Sequence, residues 1–305
     1  MASSVKDLKL GTRMMPYLAI LQHDLGALWA SRLVRLWLVA TVVLTLVLVG
    51  ANWPNFQDGT LIASLLFPYL VFPWFFVIVV LGVSPVSGSR AEALADGILS
   101  RPVSRWGYLL ATWSARVVLV WGVYLVVTVP AILLVTLAKR PVPDDAVTIY
   151  GVISSLFLVG LVQTFLVSLG FLMGTLLRRP LLAVVVLVFL WYPVGLILSV
   201  FSLEEFSPVS LSRAISTQLR RPLLAREAED EGAADAQEMQ TFSRQMDNFF
   251  NMMSGAKPAP EASRPEYFEG EKFEDLSVVR VALGYGVPSA AAVLLAGVCF
   301  YRRDL

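Results

Sequence analysis

Five stretches of this chain carry no charged side chain: 61–83, 117–138, 146–177, 181–203 and 281–301. Each holds about 20 residues or more, enough to cross ~30 Å of hydrocarbon at ~1.5 Å per residue. A sixth run, Leu36 to Trp53, is shorter and is flanked by Arg32 and Arg35 at one end and by Trp53 at the other. A chain with six such runs has few folding options. In hydrocarbon every backbone polar group must be satisfied within the protein, and runs of this length do so as helices. The expected fold is an all-α polytopic membrane protein with six transmembrane helices. The composition agrees, with 57% hydrophobic and only 15% charged residues. The first apolar run is too long for a signal-peptide core and no small-residue cleavage site follows it. The single cysteine, Cys299, cannot form an intrachain disulfide.

Charge sets the expected topology. Segment 204–278 holds 8 basic and 15 acidic residues, a net of −7, which leaves the remainder at +8. Much of that basic charge lies on alternate short flanks. These are Lys6, Lys9, Arg13, Arg32 and Arg35, then Arg90, Arg101 and Arg105, then Arg178-Arg179, and finally Arg302-Arg303. The positive-inside rule therefore places both termini and loops 84–105 and 178–180 in the cytoplasm. Segment 204–278 is then external, long enough to be exempt from the rule. The predicted organisation is a cytoplasmic N-terminus over 1–32, spans one to five over 33–203, an acidic external domain over 204–278, and span six with a cytoplasmic tail over 279–305.

Leu18, Leu21, Leu25 and Leu28 form one stripe of a helix over 17–32, which fits a helix lying at the membrane surface. The alternative is an extension of span one. Ser207-Pro208 is a helix start. Met239, Phe242, Met246, Phe249, Phe250 and Met253 recur at helical spacing before Gly255 and Pro258, so two external helices are expected. The Met/Phe stripe reads either as the core of a small domain or as contact with an apolar ligand or partner. Pro68, Pro73, Pro130, Pro193 and Pro288 mark kinks. Gly170-x-x-x-Gly174 permits close helix approach, a weak signal in membrane helices.

The absences narrow the function. There is no G-x-x-x-x-G-K-[ST], hence no P-loop nucleotide site in this chain. His23 is the only histidine, which excludes a two-histidine zinc site and leaves His23 as a surface residue. No uncharged run holds a carboxylate pair. Ion-coupled transporters place ionisable groups in the membrane. The only candidate here is Arg116, read as snorkelling to the headgroups. Gln163 and Thr164, the most polar mid-span pair, could line a path or bond between helices, and the second is the expected reading. An enzyme is not expected, no metal or cofactor site is expected in the chain, and nothing points to nucleic acid. The driving force must come from a partner.

The loop between spans two and three is the most informative stretch. Ser84-Pro85 ends span two. Glu92 and Asp96 share one helical face while Leu94, Ile98 and Leu99 form another. Gly97 permits a stop, and Ser100 and Pro102 can start the next helix. The string Ser87-Gly88, Arg90 and Leu99-Ser100-Arg101-Pro102-Val103-Ser104-Arg105 resembles the ABC-2 type transporter permeases, which commonly read S-G-E-R-E-x-G-T-x-x-x-L-L-S-R-P-V-S-R there. Leu21-Gln22-His23-Asp24-Leu25 and the final Tyr301-Arg302-Arg303-Asp304-Leu305 add to the resemblance, which spans about 17–203 and 279–305. Departures are Ser89 for Glu, Ala93-Leu94 for Gly-Thr, and the longer 204–278.

The resemblance implies the membrane subunit of an ATP-binding cassette exporter in the inner (plasma) membrane of a prokaryote. ATP and Mg would be bound by two copies of a separate ABC ATPase, and a second permease copy or homologue would complete the assembly. Loop 84–105 would be the coupling helix, contacting the ATPase through Arg90, Glu92, Leu94, Asp96, Ile98, Leu99, Arg101, Pro102, Ser104 and Arg105. The rival reading is a mechanotransmitting or assembly subunit that acts on an extracytoplasmic protein through 204–278.

Overall fold

A computed structural model describes residues 2–83, 105–140, 147–177, 180–200 and 278–302, with ten residues between 207 and 220. Side chains are described from Pro16 onward, except for Arg105 and 192–200. The described residues form helices and no strand. The helices are α1 (Ala2–Ala30), α2 (Arg32–Asn52), α3 (Asp58–Leu70), α4 (Trp74–Val83), α5 (Arg105–Leu137), α6 (Ile149–Leu176), α7 (Pro180–Val200) and α8 (Val278–Arg302). Five spans are long and apolar enough to cross a bilayer: α2, the α3–α4 pair taken together, α5, α6 and α8. The apolar stretch described in α7, Pro180–Trp191, is shorter. The chain is a multi-pass membrane protein.

The breaks have local causes. Ser31 separates α1 from α2, and its hydroxyl accepts a 3.3 Å bond from Val34 N–H, the N-cap geometry that begins a new helix. α1 is thus a separate helix rather than an extension of α2, and it begins at Ala2 rather than near residue 17. Leu25 and Leu28 of the expected stripe pack on the core, whereas Leu18 is exposed. The uncharged run 61–83 divides at 71–73, where Pro73 has no N–H to donate and follows a cis peptide bond. Pro68, Pro130 and Pro288 lie inside their helices. Thr148 caps α6, accepting a 3.2 Å bond from Gly151 N–H.

α6 is the axis of the bundle. It packs on α3, α4, α5, α7 and α8, and its buried residues run from Gly151 to Thr175. Leu61, Ile62, Leu66, Ile78, Leu158 and Leu166 fill the main core. Leu109, Phe171, Val293 and Ala296 form a second cluster where α8 meets α5 and α6. α2 shows the opposite pattern. Val34, Trp37, Thr41 and Val49 face inward, while Leu36, Val39, Val43, Leu46 and Val47 lie exposed, as on a lipid-facing helix. Lipid is as apolar as leucine, so packing and interhelical hydrogen bonds rather than hydrophobic burial hold such helices together. Two cross-helix bonds from indole N–H groups do this on α5 and α6: Trp113 to Ser168 at 3.1 Å and Trp121 to Thr164 at 2.9 Å. Thr164 therefore joins helices as the sequence predicts. Its neighbour Gln163 is fully buried, and neither end of its amide is hydrogen-bonded among the described residues.

Candidate functional site at the root of the 84–104 segment

α4 ends at Val83 and α5 begins at Arg105, so these two helix ends receive the segment that carries the sequence motif. Arg90, Glu92, Leu94, Asp96, Ile98, Leu99, Arg101, Pro102 and Ser104 lie outside the described residues, as does the Met239–Met253 stripe. Arg105 opens α5. The last described turn of α4 is gripped on two sides.

The first grip is backbone against backbone. Gly82 of α4 faces Gly170 and Val167 of α6. A Cβ built on Gly82 would lie 2.9 Å from the Val167 carbonyl oxygen, and one on Gly170 would lie 3.0 Å from Gly82 Cα. A Cβ on Gly174 would lie 2.7 Å from the Val83 carbonyl oxygen. Only glycine allows helices this close. The Gly170-x-x-x-Gly174 spacing thus carries more than its sequence signal indicates. Its partner Gly82 gave no signal, because its role depends on which helix it meets.

The second grip is Arg116 of α5. The snorkelling reading is overturned, because Arg116 is 5% exposed and points into the protein. Its Nε donates to the Leu81 carbonyl at 3.1 Å and its Nη1 donates to the Thr112 carbonyl. The last four carbonyls of a helix have no partner within it and carry the negative end of its dipole. Leu81 lies in the last described turn of α4, and there its carbonyl meets a cation from the neighbouring helix. Arg116 is buried as a whole residue, and the Arg140 side chain is likewise buried at the other end of the bundle. Asp24 of α1 lies within coulombic reach of both Arg116 and Tyr108. The Tyr17 hydroxyl also meets Ser114 Oγ at 2.7 Å, so α1 is tied to the same stretch of α5. His23, beside Asp24, is exposed as expected.

The opposite end of the bundle is closed by polar contacts. Arg140, just past α5, pairs with Asp58, donates to the Phe56 carbonyl at 2.9 Å and the Trp53 carbonyl at 3.3 Å, and lies 5.5 Å from the Trp53 ring. The opening of segment 204–278 is seated here too. The described residues between Ser207 and Arg220 pack on the bundle. Ser207, Leu211, Ile215, Gln218 and Leu219 are buried. The Leu219 carbonyl accepts from Thr148 N–H at 3.1 Å and Thr148 Oγ1 at 3.0 Å. Gln218 Nε2 meets Ser154 Oγ at 3.3 Å, and Arg220 reaches Gln57 at 3.1 Å. Gly151 makes the seat, since a Cβ there would lie 2.5 Å from the Leu219 carbonyl oxygen. Among the described residues no cluster of three or more His, Cys, Asp or Glu could hold a metal ion.

The ends of the bundle therefore differ in kind. One is a rigid helix terminus fixed by glycine contact and a buried cation. The other is a polar seam that fastens a segment arriving from beyond α7. No known protein-family model matches the chain, and no curated protein matches it.

Proposed function

We propose that this chain is the permease subunit of an ATP-binding cassette exporter, worked by a separate ATPase through residues 84–105. In this reading α7 is a sixth span, with α2, the α3–α4 pair, α5, α6 and α8 as the others. Both termini face the cytoplasm of a prokaryote, and α1 lies at the inner surface of its plasma membrane. Two permease chains assemble with two ATPases. The chain itself hydrolyses nothing.

One observation carries the reading. The segment holding the Leu99-Ser100-Arg101-Pro102-Val103-Ser104-Arg105 string leaves α4 where that helix is most firmly held. A partner pushing on a loop moves the bundle only if the root of the loop is stiff. At Gly82 and Val83 the backbones of α4 and α6 touch, so a push there displaces helices rather than side chains. The test is deletion of 89–98, or Glu92→Arg, in the chain reconstituted with a candidate ABC ATPase. Stimulation of ATP hydrolysis by the permease should be lost while the spans stay folded. If ATPase binding and stimulation survive the deletion, the coupling assignment fails.

A second reading is favoured by the seating of 207–220. A chain that transmits force to an extracytoplasmic protein needs its external segment joined to the moving helices, and Gln218, Leu219 and Arg220 make such a joint. In reconstituted vesicles, stimulation of ATP hydrolysis by a small solute supports export. Stimulation only by another protein supports mechanotransmission.

A further inference from the structure

Four side chains deep in the bundle are polar and unsatisfied. Tyr69 of α3, Tyr124 of α5, and Ser155 and Gln163 of α6 are each 1% exposed or less. Among the described residues none of their hydroxyl or amide groups has a hydrogen-bond partner. A buried polar group without a partner lowers stability, and an apolar residue of similar shape would not. Contacts between the helices place the four in one seam. The Tyr69 and Tyr124 rings meet edge to face, with centroids 4.7 Å apart. Tyr124 lies one turn along α5 from Trp121, whose indole N–H bonds Thr164, the residue after Gln163. Ser155 is eight residues before Gln163, a spacing that keeps both on one stripe of α6. Its neighbour Ser154 accepts from Gln218 Nε2 at 3.3 Å, so the seam runs from the middle of the bundle to the seat of 207–220.

The seam also has a joint. Tyr69 is in the last turn of α3, and the span is interrupted just after it, where Val71 is extended at φ −130°, ψ 169° and α4 starts at Trp74. Interrupted helices occur at membrane depth where they are buried in protein or border a polar passage. α4 is held against α6 at Gly82 and Val83, so rotation at 71–73 moves α3 and Tyr69 while α4 stays in place. We infer that Tyr69, Tyr124, Gln163 and Ser155 line a route for a small uncharged polar solute through the bundle of a single chain, opened by movement of α3 at 71–73. Each of the four side chains both donates and accepts hydrogen bonds, which suits a solute bearing hydroxyl or amide groups. No Asp or Glu is buried among the described residues, and the buried Arg116 and Arg140 side chains stand toward opposite ends of the bundle, so a cation gains no partner along the seam. That the solute is cargo rests on the transporter reading above. The route itself does not, and it can be tested without any ATPase.

The experiment is thiol labelling of the full chain reconstituted in lipid vesicles, in a Cys299→Ala background. The variants are Tyr69→Cys, Tyr124→Cys, Ser155→Cys and Gln163→Cys, with Leu158→Cys and Leu166→Cys as equally buried controls on α6. The probe is a small hydrophilic methanethiosulfonate, whose reaction needs a thiolate and therefore water at the site. The four seam positions should label at least about tenfold faster than the two leucine positions, because opening of the seam wets only its own lining. Equal rates overturn the inference, since depth alone then sets the labelling. Ser155→Cys replaces a single atom, so if the larger replacements do not fold, its rate against Leu158→Cys decides. Adding Gln163→Leu to Ser155→Cys should slow labelling at least about threefold by drying the seam. A merely structural Gln163 leaves that rate unchanged, and this too overturns the inference. Deletion of 89–98 should leave every rate as it was, so a failed route and a failed coupling loop are separate results.

Discussion

Gly174→Ala is the sharpest probe of the α4–α6 contact, because two effects of opposite sign compete. Alanine is the better helix former, and in an exposed helix interior the change stabilises by about 1 kcal/mol. At this position the new methyl would sit 2.7 Å from the Val83 carbonyl oxygen, whereas ordinary contact begins at 3.4 Å. The obstacle is backbone on both helices, so no side chain can rotate away and the helices must move apart. Overpacking of this kind costs about 1–3 kcal/mol. The net expectation is destabilisation by roughly 0–2 kcal/mol relative to wild type, which is about 1–3 kcal/mol below an unobstructed Gly→Ala control. Gly122→Ala and Gly286→Ala are internal controls. Nothing lies within 4 Å of a Cβ at either site, so both should be neutral or slightly stabilising. The assay is unfolding in one detergent, with the three variants and wild type side by side. If Gly174→Ala is as stable as Gly122→Ala, the close approach of α4 and α6 is not real, and the stiff root of 84–104 goes with it.

Other consequences follow from single contacts. Thr164→Val leaves the Trp121 indole N–H without its acceptor and should destabilise by about 1–2 kcal/mol, with Thr164→Ser restoring stability in the same unfolding assay. Tyr124 is fully buried against Tyr69, ring centroids 4.7 Å apart, and its hydroxyl has no hydrogen-bond partner. Tyr124→Phe should therefore be neutral or mildly stabilising, and a loss above about 1 kcal/mol would contradict it. Asp58→Ala removes the carboxylate paired with the Arg140 guanidinium, whose side chain is 3% exposed, and should cost about 3 kcal/mol, whereas the exposed Lys139→Ala should change little. Gly151→Leu should expel 207–220 from its seat, read as faster proteolysis within that segment.

The elements that depend on local chemistry were legible before any coordinates. Uncharged runs mark the spans because the bilayer admits few alternatives, and Pro73 marks the break within 61–83 because it lacks an N–H. The contacts that matter for function depend on partners distant in sequence. Arg116 sits where a snorkelling arginine would sit, and only the Leu81 carbonyl, arriving from another helix, shows that it turns inward. The acidic composition of 204–278 conceals that Leu211, Ile215 and Leu219 recur at helical spacing and are buried. The signal for that seat was Thr148 followed by Gly151 at the start of a span, a cap and a gap in one turn. Gln163 shows the reverse limit. Its polarity was visible in the sequence, but its lack of a hydrogen-bonding partner was not.

The seat of 207–220 also implies an order of events during synthesis. Its contacts come from the 53–58 connection, from Thr148 and from the first turns of α6, all made before the ribosome reaches residue 207. Arg140, holding 53–58 in place, is earlier still. Every surface the segment needs is therefore present when it emerges, but only if the preceding helices have already inserted and met. A chain stalled with α6 misplaced would leave Leu211, Ile215 and Leu219 in water. Burial of these three side chains is therefore a late event that reports a completed bundle.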